Sequence, residues 1–439
     1  MMRPSKLQFL DLPQEIKDRI IALSHADTPI VERNRHFKAC SLAHRSLTWA
    51  AQRELHGAVR FQWGPGPLRH TIKDETVYSD PQIAALVRKL SLWSLPQPQV
   101  DPVAWTVLAR FPRLTELGIY LLDTHDWPCI TSEDRDALRR TFPNVTTLNL
   151  HLDYFGYVDN FLFFLTAFPN VTTLELYDLG LDPPTPVSAE SSPDRTIEGI
   201  PCPRLQVLDV TYDVDLPEQA DVERLLKQWI VPLTRIVAPD FKLIWFQSTL
   251  EEPTLCPQFI KALAPALTSL DVTFPGNTFG TADIDVRHCH RLESIALSVL
   301  WDPDDGDEDD IRHATPDSDA WVYNALDQLP SSIHLQNITL DLSAKSVRDI
   351  NGLNLARVDR LLAQPRFSHI KVLLVLPRMP VGLMSREEMT RANLQMVWTT
   401  FPRLCAKEGV DVVPERDGPI VPLKTFAGFQ TVLPGQQCS

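Results

Sequence analysis

A nine-residue phrase recurs along this chain, and its spacing leaves few ways to fold. FPRLTELGI at 111–119 is followed by FPNVTTLNL at 142–150 and FPNVTTLEL at 168–176, and the frame continues in CPRLQVLDV (202–210), APALTSLDV (264–272) and CHRLESIAL (289–297). Weaker copies sit at 87–92, around Ile338 and Leu340, and at 370–375. The last two apolar positions are two residues apart, so they share one face of a strand. The proline stops the helix before it. The leading phenylalanine or cysteine is expected to fill the core beneath that helix's end.

Counted from the central apolar residue, the intervals are 31 (Leu117 to Leu148), 26 (Leu148 to Leu174), 34 (Leu174 to Leu208) and 25 (Leu270 to Ile295). The gap of 62 between Leu208 and Leu270 is two such periods, so a degenerate unit belongs between them, with its strand at 243–246. Segments 103–110, 132–141, 158–167 and 222–230 have the apolar spacing of helices. One strand and one helix per unit predicts a curved α/β solenoid with parallel strands lining one face. In this it resembles the irregular leucine-rich-repeat arrays, whose period it approaches from above. A doubly wound sheet also alternates strands and helices, but it gives no reason for a recurring phrase.

A different pattern occupies the first sixty residues. Asp11 to Gln14 has the spacing of a capping box, with Pro13 in the first turn, where its missing N–H is harmless. Leu12, Ile16, Ile20 and Leu23 recur on one helical face, and Ile21 widens the stripe. Thr28 and Pro29 can open a second helix carrying Ile30, Val31, Phe37 and Cys40; a third carries Leu47, Ala50, Ala51 and Leu55. Three short helices bury little surface alone, so part of this apolar surface is expected to meet something else.

These residues also carry a family resemblance. The run LPQEI at 12–16, the pair Ile20-Ile21, then ACSL at 39–42, Arg45-Ser46, Leu55 and Val59-Arg60-Phe61 follow in the order of an F-box, of a version abundant in mushroom-forming fungi. The chain departs from that pattern at Ala43-His44, at Leu47, where tryptophan is usual, and at Ser24, where leucine is usual. The resemblance implies a three-helix F-box at 7–61, and the run of the repeat phrase sets a linker at 62–85, a leucine-rich-repeat-like array at 86–413 and a tail at 414–439. The resemblance implies further that the chain is the substrate-recognition subunit of an SCF-type ubiquitin ligase, docking on a Skp1-type adaptor and, through it, on cullin and RING subunits. Leu12, Pro13, Ile16, Ile20, Ile21, Leu42 and Leu47 would contact the adaptor. An unknown target protein would lie against the strand face, with Tyr120, Tyr177, Tyr212 and Trp301 as aromatic anchors. Two other readings use the same residues: a binding scaffold whose F-box has diverged too far to dock, and a purely helical cap on the array.

Chemistry of its own is not expected. The sequence has no P-loop, dinucleotide-binding glycine motif, HExxH or nucleophile elbow, so neither catalytic residues nor a cofactor are expected. His288, Cys289 and His290 tempt as a metal cluster, but alternate residues of an extended segment face opposite ways, and Cys289 occupies the core position of the phrase. A net charge of −14 argues against nucleic-acid backbones and anionic membranes. Seven scattered cysteines without CxxC pairs read as reduced thiols, and residues 1–8 lack the apolar stretch of a secretory signal, so a cytoplasmic or nuclear protein is expected. Loops are expected at 181–203 and 302–319, the latter opening with seven carboxylates in nine residues at 302–310. The sequons at Asn144, Asn170 and Asn337 come with the repeat phrase and read as turn asparagines.

Overall fold

The computed structural model describes residues 12–23, 30–62, 77–93, 102–121, 131–152, 163–177, 204–212, 236–247, 255–275, 284–300, 321–330, 334–341, 355–375, 394–395, 397–407, 409–413 and 421–422. The expected loops at 181–203 and 302–319, and the expected helix at 222–230, lie outside these residues. The chain divides into two units, 1–174 with 186–203, and 175–185 with 204–439.

The first unit begins with three helices, α1 (Gln14–Leu23), α2 (Ile30–Ala43) and α3 (Arg45–His56). Their shared core is Ile21, Phe37, Leu47, Ala50 and Ala51, with Cys40 and Leu55 packed against it. The α2–α3 break falls at His44, whose backbone is extended and whose ring accepts the N–H of Ser46, starting α3. The departure from the F-box pattern at 44 therefore acts as a helix cap.

After Gly57 the chain passes straight into β1 (Ala58–Gln62), the first of the strands β2 (Lys89–Trp93), β3 (Glu116–Leu121), β4 (Thr147–Leu152) and β5 (Thr173–Tyr177), which lie in chain order. Val59 pairs in parallel with Leu90, Leu90 with Leu117 and Leu117 with Leu148, so the central apolar residues of successive phrases stack in register. Residues 58–61, which the F-box pattern groups with the helices, are thus the array's first strand. Within 62–85, expected to be a linker, Tyr78 is buried and a short helix, α4 (Pro81–Ala84), is capped by Asp80. Helices α5 (Pro102–Leu108) and α6 (Ser132–Thr141) occupy two of the expected helical segments.

A staircase of shared carbonyls joins the repeats. Gly57 O accepts from Arg88 N and Lys89 N at 2.8 and 2.9 Å, Arg88 O from Thr115 N and Glu116 N, Thr115 O from Thr146 N and Thr147 N, and Thr146 O from Thr172 N and Thr173 N. The phrase's asparagines add a second link, because Asn144 Nδ2 donates to Pro112 O and Asn170 Nδ2 to Pro143 O, at 3.0 and 2.9 Å. Phe111, Phe142 and Phe168 fill the core as expected.

The second unit repeats the scheme with β6 (Leu205–Tyr212), β7 (Val237–Gln247), β8 (Leu267–Pro275), β9 (Ser294–Leu300), β10 (Asn337–Asp341), β11 (Lys371–Val375) and β12 (Val410–Val413), parallel and in chain order. The expected degenerate strand at 243–246 is part of β7, with Leu243 between Leu208 and Leu270. Helices α7 (Leu255–Leu263), α8 (Trp321–Asp327), α9 (Leu355–Leu362) and α10 (Pro402–Cys405) belong to this unit. A last strand, β13 (Val421–Pro422), pairs antiparallel with β12 inside the segment expected to be a tail. Among the described residues, no helix is long and apolar enough to cross a membrane.

Candidate functional site

The helical module is where buried and exposed apolar residues separate most sharply. Gln14 donates to Ser46 O at 2.8 Å, and Asp18 lies 3.6 Å from Arg53, so this side of α1 runs along α3. Lys17 and Ile21 are buried. At about 100° per residue, Ile16 and Ile20 fall on the opposite side of α1. They are 45% and 41% exposed, and Leu42 on α2 is 88% exposed. Pro13 is exposed and Leu12 half-buried. Pro13 O accepts the N–H groups of Ile16 and Lys17, forming the first turn. Of the seven residues expected to contact an adaptor, Ile21 and Leu47 are buried, 4% and 9% exposed. They pack with Phe37, Ala50 and Ala51 and hold the helices together.

Sequence reasoning missed Trp49, 48% exposed on α3. The signal was present. Leu47, Ala50 and Ala51 claim the inward arc of α3, so a residue two places after Leu47 must point outward. Among the described residues the large apolar side chains left exposed are Ile16, Ile20, Leu42, Trp49 and Val77, and the first four belong to this module. Isolated exposed apolar residues are ordinary on a protein surface; their concentration in three short helices is not.

The strand face away from the core is the second candidate. On the first unit Trp93, Tyr120 and His151 occupy paired positions of β2, β3 and β4. Their rings stack, with centroids 5.0 Å and 4.2 Å apart, and Arg60 lies 5.2 Å from the centre of Trp93. Gly118 makes the row possible, since a Cβ there would stand 3.2 Å from Tyr120 Cε2. Tyr120 is therefore half-buried in a stack. Tyr177 is half-buried at the end of β5, and Tyr212 ends β6. Trp301 lies outside the described residues.

On the second unit the same strand face is acidic. Burial raises the carboxyl pKa of Asp209, and the charge of Asp271 raises it further against the pull of Lys242. Burial likewise raises that of Asp271, with Lys242 opposing and Asp341 adding to the shift. Cys289 is fully buried and burial pushes its thiol up to about 12, while His288 and His290 are exposed. Among the described residues, no three His, Cys, Asp or Glu side chains gather as a metal site. Comparison with protein-family models and with curated proteins gave no match.

Proposed function

We propose that this chain is the substrate-recognition subunit of an SCF-type ubiquitin ligase. In this reading the three helices are an F-box that docks on a Skp1-type adaptor, and the strand-helix array is a leucine-rich-repeat-like solenoid that holds a target protein. Catalysis then belongs to the partners, and this chain supplies proximity. The observation that carries the reading is the set of exposed apolar side chains Ile16, Ile20, Leu42 and Trp49, confined to the segment whose residue order resembles an F-box. The continuous passage from α3 through Gly57 into β1 suits a receptor, because no free linker separates the docking helices from the first repeat.

That continuity also favours the plainer reading of the module as a cap, since the Gly57 carbonyl is the first step of the repeat staircase. The two roles use different residues. Capping needs the inward set and the backbone; docking needs the outward set. Co-purification of the full chain with a Skp1-type adaptor tests the ligase reading. Binding by the wild type that is lost in Ile16→Asp and Ile20→Asp supports it. A folded, accessible module that retains no adaptor leaves the cap, and the array becomes a non-ligase binding scaffold.

A further inference from the structure

The helical module differs in charge from the rest of the chain. Its described residues from Leu12 to Gly57 hold seven Lys and Arg against four Asp and Glu, whereas the whole chain has 42 against 56. The excess is not spread evenly. On α2, Lys38 lies about 40° to one side of Leu42 and Arg35 about 20° to the other, so the three share an arc of about 60°. All three are exposed, and the buried Phe37 points about 140° away from Leu42. Arg45, also exposed, follows directly after the His44 break. A leucine that is 88% exposed is thus flanked by two cations on its own helix and followed closely by a third.

This pairing of charge and apolar surface constrains the occupant. An exposed leucine gains by entering an apolar recess, and cations around it gain only if the rim of that recess is acidic. A basic surface or an uncharged groove would leave Arg35 and Lys38 facing like charge or losing water without return. We propose that the outward face of α2 docks on an acidic surface of the adaptor, with Leu42 entering an apolar recess and Arg35 and Lys38 meeting carboxylates at its rim. The proposal rests on the F-box reading and adds to it the chemistry of the partner's surface. The module's exposed residues then divide the work of docking. Ile16 and Ile20 give apolar contact, and α2 supplies the charge that steers and orients.

The test uses the full chain and a purified Skp1-type adaptor, with Kd measured at about 50 and about 500 mM NaCl, across which charge screening rises steeply. Wild-type affinity should fall roughly tenfold or more with salt. The double reversal Arg35→Glu with Lys38→Glu should weaken binding by about tenfold at low salt and much less at high salt. Leu42→Ala should weaken it at both. Arg113→Glu, an exposed arginine on the array, changes net charge in the same direction and should leave affinity unchanged. Hydrogen exchange across α1–α3 verifies that each variant keeps its fold. An adaptor that binds the wild type without salt dependence, and binds the reversal and Leu42→Ala equally well, overturns this inference and leaves the ligase reading standing. No binding by the wild type at either salt removes the ligase reading and this inference with it. A concentration-dependent dimer of the free chain that the same reversals dissolve gives the face to a second copy and overturns the proposal.

Discussion

Leu47 and Leu42 stand five residues apart, and both occupy positions of the F-box pattern, though Leu47 departs from its usual tryptophan, yet the structure turns one inward and the other outward. Leu47 is 9% exposed, inside the cluster of Ile21, Phe37, Ala50 and Ala51. Leu47→Ala removes three carbon atoms from that cluster, worth about 0.8 kcal/mol each by transfer alone. The cavity left behind adds to this, and buried leucines cut to alanine lose about 2–5 kcal/mol in total. We expect about 3 kcal/mol, a change of about 100-fold in the opening equilibrium of the helices. Hydrogen exchange read by mass spectrometry measures it directly, because slow amides of α1–α3 should lose protection by that factor while those of the second unit keep theirs. Leu47→Trp should also destabilise, by about 1–3 kcal/mol, because a larger ring is forced into a filled core. Leu42→Ala should change protection by less than about threefold, since exposed substitutions stay within about 0.5 kcal/mol. Equal protection in Leu47→Ala and the wild type would refute the orientation of α3. A collapse of protection in Leu42→Ala would refute that of α2.

Three further outcomes follow from single features of the array. Asp359, 3% exposed, accepts from Arg403 N and Leu404 N at the start of α10; Asp359→Ala should destabilise the second unit by roughly 2–4 kcal/mol in urea unfolding, and Asp359→Asn by less. The carboxyl pKa of Asp271 is raised in the folded chain, so its stabilising contribution is complete below the ordinary carboxylate range and is lost as pH rises through the raised value. Asp271→Asn should therefore raise the Tm at pH 7, with a gain that shrinks as pH falls toward 4; an equal gain at both values would contradict the charge argument. Gly118→Val should push Tyr120 out of its stack and weaken the near-ultraviolet circular dichroism of the Trp93–Tyr120 pair, and an unchanged spectrum would show that the ring does not lie over Gly118.

The array was legible because its signal repeats in one dimension. Each phrase places Leu, Leu and Leu or their equivalents at fixed offsets, and parallel pairing stacks those offsets, so even β7 could be located from the 62-residue gap. Helix α6 was located from its apolar spacing at 132–141, and the structure adds that Thr131 and Asp134 form a reciprocal capping box at its start. What stayed hidden needs knowledge of a neighbour in space. The pairing of Asp359 with backbone 44 and 45 residues away leaves no local pattern. Strand β1 was hidden because its core residues Val59 and Phe61 lack the phrase, and its register is set by Gly57 O and by β2. For Leu42 and Leu47, a family pattern tells which positions matter without saying whether they matter inside or outside.

That last distinction decides how residues 12–62 work. On the inward side the helices meet the array through His56, whose ring lies 6.0 Å from Tyr78, and Tyr78 packs in turn against Phe61 and Phe111. Ile16, Ile20, Leu42 and Trp49 remain 41–88% exposed, so capping leaves that part of their apolar surface unused. The inward set accounts for the fold and the outward set does not. The two sets lie on different sides of each helix, so one can be altered without disturbing the other.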